Sequence, residues 1–237
     1  MAIIIFLFGL AIGSFLNCLI YRLEHNQSFL RGRSYCPHCR HQLDLWDLIP
    51  VLSFLILRGK CRYCQQKISW QYPLVEIFTG LIFLLIINYQ LSIINFIIAP
   101  FLIIIFIYDL KHYIIPDKII YPAILIAAIF NFTNWLSALG AAAFFLIIVL
   151  VSRGKWMGVG DIKLGFLMGL LLDWPSVLIA LFLAFMTGAI IGIGLIISGK
   201  KSLKSEVPFG PFLVFGTFIA LFFGQRIIER YLQLTMF

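Results

Sequence analysis

Long apolar runs broken by short polar connections dominate the chain. A bilayer-spanning helix takes about 20 such residues, within a range of about 17–25. Eight runs are candidates: roughly 2–20, 73–90, 92–109, 118–132, 135–151, 162–173, 176–198 and 207–228. The sixth is short and can begin nearer Met157. Asn88, Tyr89 and Gln90 mark one tight turn between runs, and Asn131, Thr133 and Asn134 mark another. The stretch Val51 to Leu57 is too short to span and is read as a short buried or interfacial helix. The longest polar stretch, from Tyr21 to Tyr72, makes one small insert after the first helix. The first run lacks a basic segment before it, so it reads as a spanning helix rather than a cleavable signal. The pattern predicts an all-α integral membrane bundle of about eight transmembrane helices.

Composition agrees. The chain is 62% hydrophobic and 12% charged, against about 45–50% and about 25% in soluble domains. The net charge of +8 invites a nucleic-acid partner until the charges are placed. Eight basic residues lie between Arg22 and Lys67. Lys111 and Lys118 flank the third connection, and Arg153, Lys155 and Lys163 surround the fifth. Lys200, Lys201 and Lys204 lie in the seventh, leaving Arg226 and Arg230 near the C-terminus. With eight helices, 16 of the 18 basic residues fall on one side, as the positive-inside rule requires of the cytoplasmic face. The charge is a topology signal, and a nucleic-acid partner is excluded.

Three of the ten acidic residues stand out on that map: Asp109, Asp117 and Asp161. Asp109 ends the third helix, which runs inward. Asp161, in Gly158-Val159-Gly160-Asp161, opens the sixth, which starts inside. The two are 52 residues apart but at one depth, where helix packing can bring them together. Facing carboxylates share a proton, so one draws a proton from water while the other donates to a scissile carbonyl. Glycines 158 and 160 are expected to admit a substrate backbone beside Asp161. Structural alternatives stand beside this reading. Asp161 can be the N-cap of the sixth helix. Asp109, which opposes the macrodipole at a helix C-terminus, can pair with Lys111 or Lys163. Asp117 is expected to be an N-cap, and His112 an interfacial histidine.

The insert carries Cys36-Pro37-His38-Cys39 and Cys61-Arg62-Tyr63-Cys64. Two C-x2-C pairs supply four thiolates for a tetrahedral site, which suits structural zinc held by Cys36, Cys39, Cys61 and Cys64. A cytoplasmic loop disfavours disulfides, and Arg40, Lys60 and Arg62 favour thiolate. Cys18, within the first helix, reads as a small buried hydrophobe.

Taken together, these residues resemble the type IV prepilin peptidase family. The resemblance rests on Gly13-Ser14-Phe15-Leu16-Asn17-Cys18, Asp47-Leu48-Ile49-Pro50 and Tyr72-Pro73-Leu74-Val75-Glu76. It also rests on Asp109 through Ile115-Pro116-Asp117 and on Gly158-Val159-Gly160-Asp161. G-x-G-D alone is shared with presenilin-like proteases; with paired C-x2-C in this order it is specific. The resemblance implies a bifunctional enzyme of the bacterial inner membrane. It would cleave the leader of prepilins or pseudopilins at the cytoplasmic face and then methylate the new N-terminal residue with S-adenosylmethionine. Such substrates belong to type IV pilus or type II secretion systems. Asp109 and Asp161 match the catalytic pair. Residues 1–90 would form the methyltransferase-associated segment and 91–237 the peptidase bundle. No G-x-G-x-x-G follows a strand, so no Rossmann site for the methyl donor is visible; Glu76 is the acid to test first, beside a plain N-capping or lipid-interface role for it. The 192–194 G-x-G is expected to aid helix packing. Rival readings are an intramembrane protease, a zinc-knuckle assembly scaffold and a proton-coupled transporter, which would show inverted repeats.

Overall fold

The apolar runs fold as helices because a chain in hydrocarbon must satisfy its own backbone polar groups. A computed structural model describes residues 1–28, 32–202 and 205–235; Arg31 and Lys204, counted among the loop charges, lie outside them. The helices are α1 (Ala2–Glu24), α2 (Leu52–Ile56), α3 (Gln71–Asn88), α4 (Ile93–His112), α5 (Asp117–Phe130), α6 (Trp135–Ser152), α7 (Val159–Leu171), α8 (Ser176–Ile197) and α9 (Gly210–Thr235). Among the described residues, β structure is limited to two isolated bridges. Every expected spanning run is a helix, and the short helix expected within 51–57 is α2.

Six helices among the described residues are long and apolar enough to cross a membrane, which makes this a multi-pass membrane protein. The two shorter runs are α5, of 14 residues, and α7, of 13. At about 1.5 Å per residue each covers only about 20 Å of a roughly 30 Å core. The burial of α7 explains how it tolerates that: Leu164, Leu167, Met168 and Leu170 are wholly enclosed. Protein rather than lipid surrounds it, with α5, α6 and α9 packed against it. By contrast, α8 packs on α9 and leaves most of its surface outward, as a lipid-facing helix does. Gly192 and Gly194 of α8 have open space beyond their backbone, so they serve no helix contact among the described residues.

The chain divides into two compact units, Met1–Ile103 and Ile104–Phe237. In the first, α1 lies against α3 at backbone distance. A Cβ on Gly9 would stand 2.7 Å from the Gly80 Cα, and one on Gly13 would stand 2.6 Å from the Glu76 Cα. Gly9 and Gly13 are thus a small-xxx-small face of the kind that brings membrane helices together. The second unit is built around α7 and holds both sequence-predicted aspartates.

Candidate active site and metal centre

Asp109 lies in the last turn of α4, where a carboxylate meets the negative end of its own helix. The structure supplies the compensation. Gly210, the first residue of α9, donates its N–H to Asp109 Oδ2 at 3.0 Å. The positive end of α9 is therefore aimed at the acid. The contact needs glycine, because a Cβ at 210 would sit 2.5 Å from that same oxygen. Gly210 is the functional residue that sequence reading missed. Its signal was Pro208-Phe209-Gly210-Pro211, a turn sequence opening the last apolar run.

Asp161 lies one turn into α7. The N-cap is Gly158, not Asp161. The Asp161 carboxylate reaches back to accept the Gly158 N–H at 3.1 Å. Gly160 lines the same cleft as the aspartates and is also packed closely from one side. A Cβ there would stand 3.1 Å from the Ile115 Cβ, so Gly160 seats the 113–116 connection against the start of α7. Gly158, with nothing closer than 3.9 Å, is the glycine that leaves room.

Both aspartates are almost fully buried. They line one cleft of about 620 Å³, bounded by Tyr108, Ile115, Trp156, Gly158, Pro208 and Phe209. Each carboxylate has one oxygen held by a glycine N–H. Among the described residues no other hydrogen bond is made by either, so the second oxygen of each remains for water or substrate. The geometry is that of two buried acids bordering one cleft, each with a pre-set orientation.

Asp117 also borders the cleft, in a different role. Pro116 is the N-cap and Asp117 the first residue of α5, so the expected capping role is not the one found. Its exposed carboxylate accepts Lys163 Nζ at 2.6 Å, joining α5 to α7. Lys163 also lies over the Tyr121 ring at 4.7 Å. It is therefore a partner of Asp117, not of Asp109. His112 is exposed and its ring packs at a tilt on Tyr108, with centroids 4.5 Å apart.

In the first unit the four cysteines converge. Their sulfurs lie within 4.8 Å of one another, and Cys36 Sγ and Cys64 Sγ are 3.8 Å apart. Zinc–sulfur bonds of about 2.3 Å at tetrahedral angles set sulfur–sulfur edges of about 3.8 Å, so the donor set fits that ion. All five cysteines of the chain are free thiols. The two C-x2-C turns are copies of one another. Cys36 and Cys61 each donate N–H to the carbonyl five residues on, at 3.0 and 2.8 Å. Arg40 and Gln65, each four residues after the first cysteine, share a left-handed φ of 57° and 58°. The bridges Tyr35–Gln42 and Lys60–Lys67 close the two turns at matching positions. Asp47 locks the second turn to the preceding segment through Arg62, at 2.7 Å, while Tyr63 donates to Asp44 and Asp47 at 3.1 Å.

Glu76 is engaged inside this loop. It neither caps α3, whose N-cap is Trp70, nor faces outward. Its carboxylate accepts the Val51 N–H at 2.7 Å. Val51 has φ of 61°, a left-handed conformation that β-branched residues avoid; the bond to Glu76 holds it there. Nearby, Asn17 donates to the Tyr72 carbonyl at 3.0 Å, tying α1 to the start of α3. Cys18 is only partly buried and accepts the Ser34 hydroxyl at 3.8 Å.

The comparisons with known proteins run along the same elements. Residues 7–90 match the bacterial peptidase A24 N-terminal domain and residues 96–193 the type IV leader peptidase family. A prepilin leader peptidase/N-methyltransferase of Aeromonas hydrophila is 32% identical, over 97% of this chain and 93% of that protein. One of Bacillus subtilis (strain 168) is 32% identical over 98% of each. One of Legionella pneumophila is 31% identical over 98% of this chain and 94% of its own length. No solved structure matches the chain. With both halves matched and curated relatives aligned from end to end, the chain belongs to the type IV leader peptidase family.

Proposed function

We propose that this protein removes the leader from prepilins or pseudopilins with Asp109 and Asp161, and then methylates the exposed N-terminal amine. One observation carries the first half: two buried carboxylates from separate helices border one cleft, each oriented by a glycine N–H. One carboxylate, ionised, takes a proton from water as the hydroxide adds to the leader carbonyl. The other, protonated, donates to the carbonyl oxygen. The tetrahedral carbon then expels the amine of the mature chain, which leaves with a proton. Burial keeps bulk water from competing and strengthens the electrostatic contrast between the two acids.

The cytoplasmic face is the proposed side of cleavage, supported by the 16 of 18 basic residues that fall on alternate connections. Bacterial inner-membrane residence, prepilin-type substrates and a role in pilus assembly or type II secretion follow from the family. In the second reaction S-adenosylmethionine supplies the methyl group. Residues 1–90 are the proposed methyltransferase-associated segment and 91–237 the peptidase bundle. Within the first, Cys36, Cys39, Cys61 and Cys64 would hold structural zinc and fix the loop's shape. Glu76, committed to the Val51 N–H, shapes the same loop and is a less direct candidate for the methyl donor than its acidity suggests. Cleavage and methylation of a purified prepilin, followed by mass spectrometry, test both activities at once. A shortened product carrying one added methyl group supports the full reading, and an uncut substrate refutes it.

A further inference from the structure

The four-cysteine loop exposes an apolar surface that neither its knuckles nor the helices use. Leu45 is 84% exposed, Trp46 74%, Ile56 76% and Trp70 68%, and Leu52 and Leu55 of α2 are exposed beside them. A small cytosolic knuckle has no reason to keep six large side chains outward, because a patch of this kind marks an interaction site.

What covers it follows from where it is attached. On α3, the exposed residues Leu74, Phe78 and Leu81 are spaced by four and three positions, one stripe of the helix. Trp70 precedes Leu74 by four, has helical φ and ψ, and so continues that stripe to the loop end. The Trp70 ring lies 5.0 Å from that of Phe54, the buried residue of α2. Gly59 closes over the other side of Phe54, with its nearest ring atom 3.1 Å from an added Cβ. The outward face of a spanning helix therefore runs without a break, through Trp70, to the site where α2 is fastened.

The charges complete the surface. The loop's own carboxylates, Asp44 and Asp47, are both used within it, by Tyr63 and Arg62. Arg58, Lys60 and Lys67 are exposed and have no acidic partner among the described residues. Exposed leucine, isoleucine and tryptophan beside unpaired cations are the pattern of a segment lying in an anionic headgroup layer.

We infer that α2 and its flanking tryptophans are seated in the lipid headgroup layer, so that the cysteine loop rests on the membrane as an interfacial element. The occupant is anionic phospholipid, contacted by Leu52, Leu55 and Ile56, with Arg58, Lys60 and Lys67 on the headgroups.

The test places the photo-crosslinker p-benzoylphenylalanine at Ile56 in the full chain, reconstituted in vesicles of phosphatidylethanolamine and phosphatidylglycerol. The same probe at Phe78 serves as the lipid-facing reference, and bound zinc reports that the loop is intact. Adducts to phospholipid at both positions are expected. Lipid adducts at Phe78 alone, with Ile56 joined to another segment, to a second copy or to nothing, would overturn the inference. Replacing Arg58, Lys60 and Lys67 together by glutamine should lower the phosphatidylglycerol share of the Ile56 adducts severalfold; an unchanged share would overturn the anionic preference.

Discussion

Single atoms decide the geometry of the acids. The Gly210 N–H holds Asp109, and an added Cβ, 2.5 Å from the bonded oxygen, would force that carboxylate to shift. Gly210→Ala is therefore expected to push the Asp109 carboxylate out of register and cut the rate of leader cleavage by about 100-fold, the scale of an ångström's misplacement. The chain should remain folded and membrane-inserted; cleavage at the native rate would show that the contact does not position the acid. Asp117→Asn breaks an exposed ion pair worth no more than about 1 kcal/mol and should leave cleavage within a few-fold of native. The aspartates themselves were legible in the sequence because carboxylates at membrane helix ends are costly and so conspicuous. Gly210 was not, since nothing in a Pro-Phe-Gly-Pro turn names the distant side chain that its N–H meets. The packing at Gly160 was hidden for the same reason: a glycine shows that something comes close, and only the fold shows that it is Ile115.

At the scale of elements, the spacing of the paired cysteines foretold that their four sulfurs would converge, whereas the way the loop is fastened did not show. Cys36→Ser or Cys61→Ser should lower bound zinc and open the loop to trypsin at Arg40, Arg58 and Lys60. Acidification should release zinc from the native loop as protons compete for the thiolates. Retention of one zinc per chain in either variant would contradict the four-cysteine site. The fastening depends on Glu76 and the left-handed turn at Val51. Glu76→Ala orphans the Val51 N–H and should destabilise the loop by about 1–3 kcal/mol, measured as faster proteolysis between residues 40 and 67. Val51→Gly relieves the strained φ and should be tolerated; equal damage from both changes would mean that the bond to Glu76 is incidental. Sequence periodicity located the helices but not their lengths within the bundle. The shortness of α7 becomes intelligible only once its neighbours are seen to enclose it.

Across the whole molecule, the proposed topology rests on the alternation of basic and apolar segments, and helix packing brings Asp109 and Asp161 to one cleft. Hydropathy shows which segments span and which ends share a side; it does not show which helices touch. The scaffold reading gives the aspartates no reason to be buried at one cleft with oriented, otherwise unengaged carboxylates. The most direct measurement is cleavage of a prepilin in liposomes by the native chain and by Asp109→Asn, Asp161→Asn and Asp117→Asn, with folding verified for each. Loss of roughly a hundred- to ten-thousand-fold in the first two, the range for an acid or base that moves a proton in the reaction, with near-native cleavage in the third, is the result predicted. Cleavage at the native rate by either Asp109→Asn or Asp161→Asn would contradict the two-aspartate mechanism.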